Sequence, residues 1–203
     1  QDLVLQKSSL GQGPRFAYAF VIGGCDAATR AHWNFLFNVM VTSKILRETG
    51  SKADFVLFLQ MKYGTDYKKL PDRESQWLKS LGIKSIYLPP RKAESFYATM
   101  LDKFRVLGLT EYDRVIYLDS DVMPVANLDY LMEMSVSGVL KENLVVQGRA
   151  EPANGGFFML KPFRTALDEI NGLIRDRSAR GNEMGPPYFD EKLGWGHIIQ
   201  PPD

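Results

Sequence analysis

Two aspartates at the end of an apolar strand are the residues of this sequence best placed to do chemistry. The segment Tyr112–Asp121 reads YDRVIYLDSD, so a short apolar run ends in Asp119 and Asp121 with one small residue between them. Buried parallel strands have such runs, and open α/β sheets bind ligands outside the carboxyl ends of their strands. Two carboxylates there repel each other unless a cation lies between them, and Mg²⁺ and Mn²⁺ favour carboxylate and phosphate oxygens. The spacing therefore predicts a metal bridge to a diphosphate, and the alternative is a turn in which Asp119 caps backbone amides.

The segments around the aspartates occur in an ordered set. A helical pattern over residues 96–107, with Lys103 on one face, precedes them. The segments Asn127-Leu128-Asp129-Tyr130-Leu131 and Asn154–Pro162 (NGGFFMLKP) follow. This set resembles the family 8 glycosyltransferases of the glycogenin and galactinol synthase type, from about Phe16 to about Trp195. The resemblance implies a GT-A fold, a retaining transfer of a hexose from a UDP-sugar, and Mn²⁺ or Mg²⁺ as the cofactor.

The resemblance also implies where the donor's uracil and ribose bind. These groups would meet the end of the first strand and its loop, which in this chain are Ile22, Gly23, Gly24, Cys25 and Asp26. For each residue the alternative is a plain strand-to-helix turn with Asp26 as the helix N-cap. Glycogenin-type enzymes place a base-stacking aromatic where this chain has Ala28.

Lys103 matches the lysine that the family uses to meet the donor's phosphate or sugar. Its point charge suits a diphosphate leaving group whose negative charge grows as the glycosidic bond breaks. The alternative is a helix-surface lysine paired with Asp102 or Glu111. Arg105 is a second candidate cation, and Ser120, between the two aspartates, is a candidate for donor binding.

The resemblance assigns the donor sugar to residues later in the chain. Asn154 and Gly155 would hold it, although Asn-Gly is also a strong turn signal, and Asp190 would bind sugar hydroxyls at the reaction centre. The late histidine that completes the family's metal site has no counterpart here, so either the sequence stops short of it or water supplies that position. His197 and His32 are predicted to be structural.

Composition limits the range of partners. The 203 residues carry a net charge of +1, which gives no electrostatic case for nucleic acid or an anionic membrane. No apolar run approaches the ~20 residues of a membrane span. Cys25 is the single cysteine, which excludes an intrachain disulfide and leaves both the cytoplasm and a Golgi or secretory lumen open. With no initiator methionine or signal peptide, the chain is expected to be a processed form or a piece of a longer protein.

Strand and helix patterns alternate along the chain, which predicts a mostly parallel sheet with helices on both faces. We expect an arm over residues 1–14 and one catalytic domain over 15–203, lacking the family's C-terminal segment. The predicted strands are Arg15–Ile22, Asp54–Met61, Ser85–Leu88, the run ending at Leu118, Leu144–Gln147 and Gly156–Leu160. The predicted helices are a segment from about Trp33 to Gly50, then Pro71–Leu81, residues 96–107 and Phe163–Arg177.

Two other functions compete with transfer from a UDP-hexose to a glycan, protein or small-molecule acceptor. One is a catalytically inactive relative that serves as a scaffold or structural subunit, which the missing histidine and Ala28 would suit. The other is a nucleotidyltransferase, which also uses metal-binding aspartates. That class needs a Gly-rich N-terminal signature with basic residues, which Gly23-Gly24-Cys25 does not supply.

Overall fold

The computed structural model describes residues 13–90, 101–141, 144–147 and 154–180. Within these residues the chain forms one six-stranded sheet with helices packed against it. The strands are β1 (Phe16–Cys25), β2 (Asp54–Met61), β3 (Ile83–Leu88), β4 (Arg114–Leu118), β5 (Leu144–Gln147) and β6 (Asn154–Leu160). The helices are α1 (Trp33–Glu48), α2 (Asp72–Ser80), α3 (Asp129–Val136), α4 (Arg164–Arg180) and the 3₁₀ helix Leu101–Gly108. No helix in the described ranges is long and apolar enough to cross a membrane.

The sheet has a parallel half and an antiparallel edge. Its strand order is β3-β2-β1-β4-β6-β5; β1 pairs in parallel with β2 and β4, and β2 pairs in parallel with β3. β6 runs antiparallel to β4 and to β5. The chain winds outward from β1 to β3 and then returns to β4 on the other side of β1. Strands β1 and β4 therefore flank a topological switch point, where sheets of this kind open a ligand crevice.

Both faces of β1 and β4 are buried, as their continuous apolar runs predict. On one face Tyr18 and Phe20 pack with Ile116, while on the other Ala17 and Ala19 pack with residues of the 3₁₀ helix and α4. The two alanines lack bulk, so the 3₁₀ helix can approach the sheet closely. Burial of this size on both faces fixes the strand ends that carry the candidate site.

The segment that carries Lys103 differs from its prediction. The sequence predicts an α-helix over residues 96–107, with a surface position of Lys103 as the alternative to a role at the site. Residues 101–108 instead form a 3₁₀ helix, and residues 96–100 lie outside the described part. Side chains at i and i+3 lie on the same side of a 3₁₀ helix, and Lys103 and Val106 are both buried. Lys103 is therefore held inside the fold and is not a surface lysine.

A buried carboxylate stabilises the sheet at the amino ends of β1 and β2. Asp129, at the start of α3, accepts hydrogen bonds from the Tyr18 hydroxyl (2.7 Å), the Ser51 hydroxyl (2.8 Å) and the Lys52 backbone amide (3.0 Å). Burial, then the hydrogen bond to Asp129 and its charge, raise the pKa of Tyr18, so this hydroxyl stays a donor. The Asn127-Leu128-Asp129 segment thus joins α3 to β1 and to the start of β2, far from the strand ends that hold Asp119.

Candidate functional site

The end of β1 carries a glycine bulge. Ile22 pairs with Leu59 and Cys25 with Met61, so β1 holds one more residue than β2 between these pairs. Gly24 has a φ of +66°, a backbone conformation that L side chains rarely adopt. Gly23 and Gly24 are exposed. A ligand could therefore approach this backbone closely, as the resemblance requires of these two residues.

Ile22 and Cys25 can offer only backbone atoms to a ligand. Both side chains are buried in the core, and the Cys25 thiol lies 3.6 Å from the Ile22 carbonyl oxygen. Burial, reinforced by the charge of Glu74, raises the pKa of Cys25 to about 12. The thiol is therefore neutral and unreactive.

Asp26 organises the loop that follows β1. Its Oδ2 lies 2.8 Å from Lys62 Nζ, and its Oδ1 accepts the backbone amides of Ala28 (2.9 Å) and Thr29 (3.4 Å). The lysine hydrogen bond and then the Ala28 amide lower the pKa of Asp26 to about 2. His32, and not Asp26, is the N-cap residue of α1. Asp26 instead ties its own loop to the residue after β2, and it leaves Ala28 exposed.

Lys103 joins β4 to β6. Its Nζ donates to the Gly155 carbonyl oxygen at 2.8 Å and to Asp119 Oδ1 at 3.3 Å, and its side chain is 10% exposed. Of the two pairings considered from the sequence, the one with Glu111 is replaced by a pair between Glu111 and Lys84 at 3.0 Å. An ammonium has three donors, so two described acceptors leave one N–H for a ligand.

Asp119 receives two donors on one carboxylate oxygen. The Tyr117 hydroxyl donates to Oδ1 at 2.6 Å, beside Lys103. Burial, then the charge of Asp119, raise the pKa of Tyr117, so its hydroxyl keeps its proton and donates. Within the described residues no backbone amide donates to this carboxylate, which contradicts the amide-capping alternative, and Oδ2 accepts no hydrogen bond.

A turn brings Asp121 to the same strand end. The Val122 amide donates to the Asp119 carbonyl oxygen at 2.9 Å, which closes a turn over Asp119, Ser120 and Asp121. Asp121 is exposed, and Ser120 is half-buried. Among the described residues there is no group of three or more His, Cys, Asp or Glu side chains that could hold a metal ion. The Asp119 and Asp121 carboxylates nevertheless fit a hard divalent cation that takes its other ligands from a substrate diphosphate and water.

The amino end of β6 meets the carboxyl end of β4. The Asp119 amide donates to the Gly156 carbonyl oxygen at 2.9 Å, and β6 begins at Asn154. A Cβ placed on Gly155 would lie 3.2 Å from Lys103 Nζ. The glycine therefore leaves room for the lysine, and Asn154, Gly155, Lys103 and Asp119 share one edge of the sheet.

The remaining candidates are Arg105, two histidines and Asp190. The Arg105 side chain is partly exposed and lies 3.9 Å from Asp102. His32 is buried, with Nε2 at 2.9 Å from Glu74 Oε2, in agreement with a structural role. Asp190 and His197 lie outside the described residues, so their predicted roles stay predictions.

Two residues of this edge were missed in the sequence. Lys62 follows β2 directly, and a basic residue at the end of a parallel strand was the available signal. Tyr117 lies two positions before Asp119, so both side chains share one face of the strand. Neither signal identifies a hydrogen-bond partner by itself.

A cavity at the other end of the strands contains none of the predicted site residues. It measures about 430 Å³ and lies at the amino ends of β1 and β2, where Arg15, Lys52, Asp54 and Glu133 line it. Arg15 and Asp54 already pair there at 3.4 Å. The candidate site is instead formed by the carboxyl ends of β1 and β4 and the start of β6.

The strand order and the flanking helices form an α/β fold of the GT-A class. The glycosyltransferase GlyE of Streptococcus pneumoniae TIGR4 has this fold: the match covers 92% of this chain and 42% of that protein, with a TM-score of 0.54 and 15% identity. No protein-family model matches the chain.

Sequence relatives are glycosyltransferases of family 8, which confirms the resemblance seen in the sequence. The chain is 22% identical over 200 residues to UDP-glucuronate:xylan alpha-glucuronosyltransferase 1 of Arabidopsis thaliana, covering 97% of this chain and 27% of that protein. It is 25% identical over 130 residues to galactinol synthase 4 of Arabidopsis thaliana, covering 60% of this chain and 35% of that protein. The chain thus spans about a third or less of the length of these curated relatives.

Proposed function

We propose that this chain is the donor-binding part of a retaining, metal-dependent glycosyltransferase that uses a UDP-linked sugar. One observation carries the proposal: Lys103 bridges Asp119 and the Gly155 carbonyl at the sheet edge beside the switch point. This contact supports the proposal because it joins a cation to the Asp119 carboxylate at the carboxyl end of β4, and ligands of open α/β sheets bind at such strand ends. The names of the relatives, which include transferases that use UDP-glucuronate, support a UDP-sugar as the donor.

Each group at the edge has a role in this proposal. Asp119 and Asp121 would hold Mn²⁺ or Mg²⁺, which would supply positive charge against the donor diphosphate. The free N–H of Lys103 donates to the diphosphate or to the sugar beside it. The exposed backbone of Gly23 and Gly24 faces the nucleoside, while Asn154 and Asp190 orient the sugar.

The transfer exchanges two bonds at the anomeric carbon. The bond from this carbon to the diphosphate oxygen breaks as the bond to an acceptor hydroxyl oxygen forms, and the acceptor proton passes to the departing diphosphate. No described residue is placed as a covalent nucleophile, so a double displacement is not proposed. Retention then requires that the acceptor attack the anomeric carbon from the face that the diphosphate leaves. Lys103 then stabilises the charge that grows on the leaving group.

Calorimetry with UDP tests the donor site directly. UDP should bind in Mn²⁺ and bind much more weakly in EDTA, and a cytidine or guanosine diphosphate should bind less well. Equal UDP affinity in Mn²⁺ and EDTA would contradict the metal bridge through Asp119 and Asp121.

A donor panel tests the chemistry. UDP-glucose, UDP-galactose and UDP-glucuronate are incubated with Mn²⁺, and release of UDP is followed with and without candidate glycan acceptors. Turnover of one donor is the expected result. Tight Mn²⁺-dependent UDP binding without turnover of any donor would favour the scaffold alternative over an enzyme.

A further inference from the structure

The Asp119 carboxylate is unequally occupied. The Tyr117 hydroxyl and Lys103 Nζ both donate to Oδ1, at 2.6 and 3.3 Å, whereas Oδ2 accepts no hydrogen bond from the described part of the chain. A carboxylate held by one oxygen has a fixed direction for the other. Oδ1 therefore holds the carboxylate in place within the protein, and Oδ2 is the oxygen left to bind a ligand.

Tyr117 is itself held rigidly. Its ring stacks on Phe158 with a centroid distance of 4.7 Å and an interplanar angle of 19°, and these two residues are direct partners across β4 and β6. Lys103 Nζ lies 5.3 Å from the centre of the same ring, so its positive charge makes a cation–π contact with Tyr117. The phenol is 2% exposed, so it has no room to choose another acceptor.

Building on the function proposed above, we propose that Tyr117 is a positioning residue for the cation. Its hydroxyl fixes Asp119 Oδ1, and Oδ2 is then the oxygen that Asp119 would offer, together with Asp121, to a divalent cation. Lys103 shares Oδ1 and is thereby kept off Oδ2. Without the hydroxyl, the carboxylate can rotate to offer both oxygens to Lys103, and the cation loses its preset ligand.

Tyr117→Phe is the direct test, because phenylalanine keeps the ring and its stacking on Phe158. Mn²⁺ affinity in the presence of UDP is measured by electron paramagnetic resonance of free Mn²⁺, which does not depend on turnover. The variant should bind Mn²⁺ roughly tenfold more weakly, the loss expected for one hydrogen bond to a charged group.

Tyr112→Phe is the matched control. Tyr112 is also buried, and its hydroxyl donates to the Asp54 carboxylate at 2.9 Å. This contact lies at the amino ends of β2 and β4, away from Asp119. It should keep the wild-type Mn²⁺ affinity even if its melting temperature falls. Equal losses of affinity in both variants would reduce the effect to general destabilisation and would overturn the role of Tyr117.

The outcomes separate this proposal from the one on which it rests. If the wild type binds Mn²⁺ with UDP and Tyr117→Phe binds it equally well, the positioning role is wrong and the proposed function stands. If the wild type itself binds no Mn²⁺ with UDP, the metal-dependent function fails and the positioning role fails with it. Should Tyr117→Phe not fold, Phe158→Leu tests the same role, because it loosens the ring whose stacking aims the hydroxyl at Asp119 Oδ1. Mn²⁺ affinity should then fall, and unchanged affinity would overturn the proposal.

Discussion

Replacing Lys103 by methionine should reduce turnover far more than it reduces UDP affinity. Methionine has a similar length and tolerates the buried position, where the lysine side chain is 10% exposed. The change removes the charge beside Asp119 and the donor to the Gly155 carbonyl. It therefore tests the contact that carries the proposed function.

The distances set the size of the effect. At 3.3 Å the attraction between the Lys103 and Asp119 charges is ~5 kcal/mol at an effective dielectric constant of ~20. Desolvation offsets most of this attraction, so the free energy of unfolding should fall by only about 1–3 kcal/mol. The charge that develops on the leaving diphosphate is met chiefly in the transition state, so turnover should fall by ~10²-fold or more. UDP affinity should fall by ~10-fold or less.

Transfer rates and UDP titrations of the same preparations provide the test, with Lys84→Met as the control. Lys84 pairs with Glu111 at 3.0 Å, but it is 54% exposed and lies away from the site, so its loss should change neither quantity. If Lys103→Met loses turnover and UDP affinity by the same factor, the lysine contributes only ground-state binding. If neither changes, Lys103 is a structural bridge between β4 and β6, and the reasoning fails.

Much of the sheet could be predicted from the sequence because its central strands are apolar on both faces. Strand β2 has the predicted bounds, Asp54–Met61. Strand β1 begins one residue later than predicted, at Phe16, and continues past Ile22 to Cys25 through the glycine bulge. Whether each strand runs parallel or antiparallel to its neighbour was harder to predict. An apolar run has the same pattern in either direction, so the antiparallel placement of β6 against β4 depends on contacts between distant segments.

The Lys103 segment shows where local pattern misleads. Its apolar spacing fits an α-helix, but packing between the sheet and α4 sets the geometry observed. Leu167 lies against Gly108, where a Cβ would be only 3.1 Å from its Cδ2. This close approach at the end of the 3₁₀ helix could not be predicted from residues 96–107 alone.

The candidate site was predictable by residue type and not by pairing. Asp119 and Asp121 are identified by their position after an apolar strand. The partners of the site carboxylates, Lys62 with Asp26 and Tyr117 with Asp119, are set by which side chains the sheet brings into contact. Lys62 and Asp26 are far apart in sequence, and only the parallel pairing of β1 and β2 makes them neighbours.

Three further changes separate the site from the scaffold. Asp121→Asn should lower turnover by more than ~10²-fold and abolish the Mn²⁺ dependence of UDP binding, whereas Asp168→Asn, on the exposed side of α4, should change neither in the same assays. Asp129→Asn should lower the free energy of unfolding by ~2 kcal/mol, measured by urea denaturation, because three donors lose a charged acceptor; a loss of UDP affinity in folded protein would show that the two edges of the sheet are coupled. Asp26→Asn should be less stable than the wild type at neutral pH. Because folding lowers the pKa of Asp26 from 3.8 to about 2, the folded state binds fewer protons than the unfolded state between these values. The advantage of the aspartate is therefore fully present above about pH 4 and is lost as the pH falls towards 2. Urea denaturation of both proteins at a series of pH values should show the two stabilities converging over this window, and a difference that stays constant down to pH 2 would mean that the Lys62 hydrogen bond does not carry the effect.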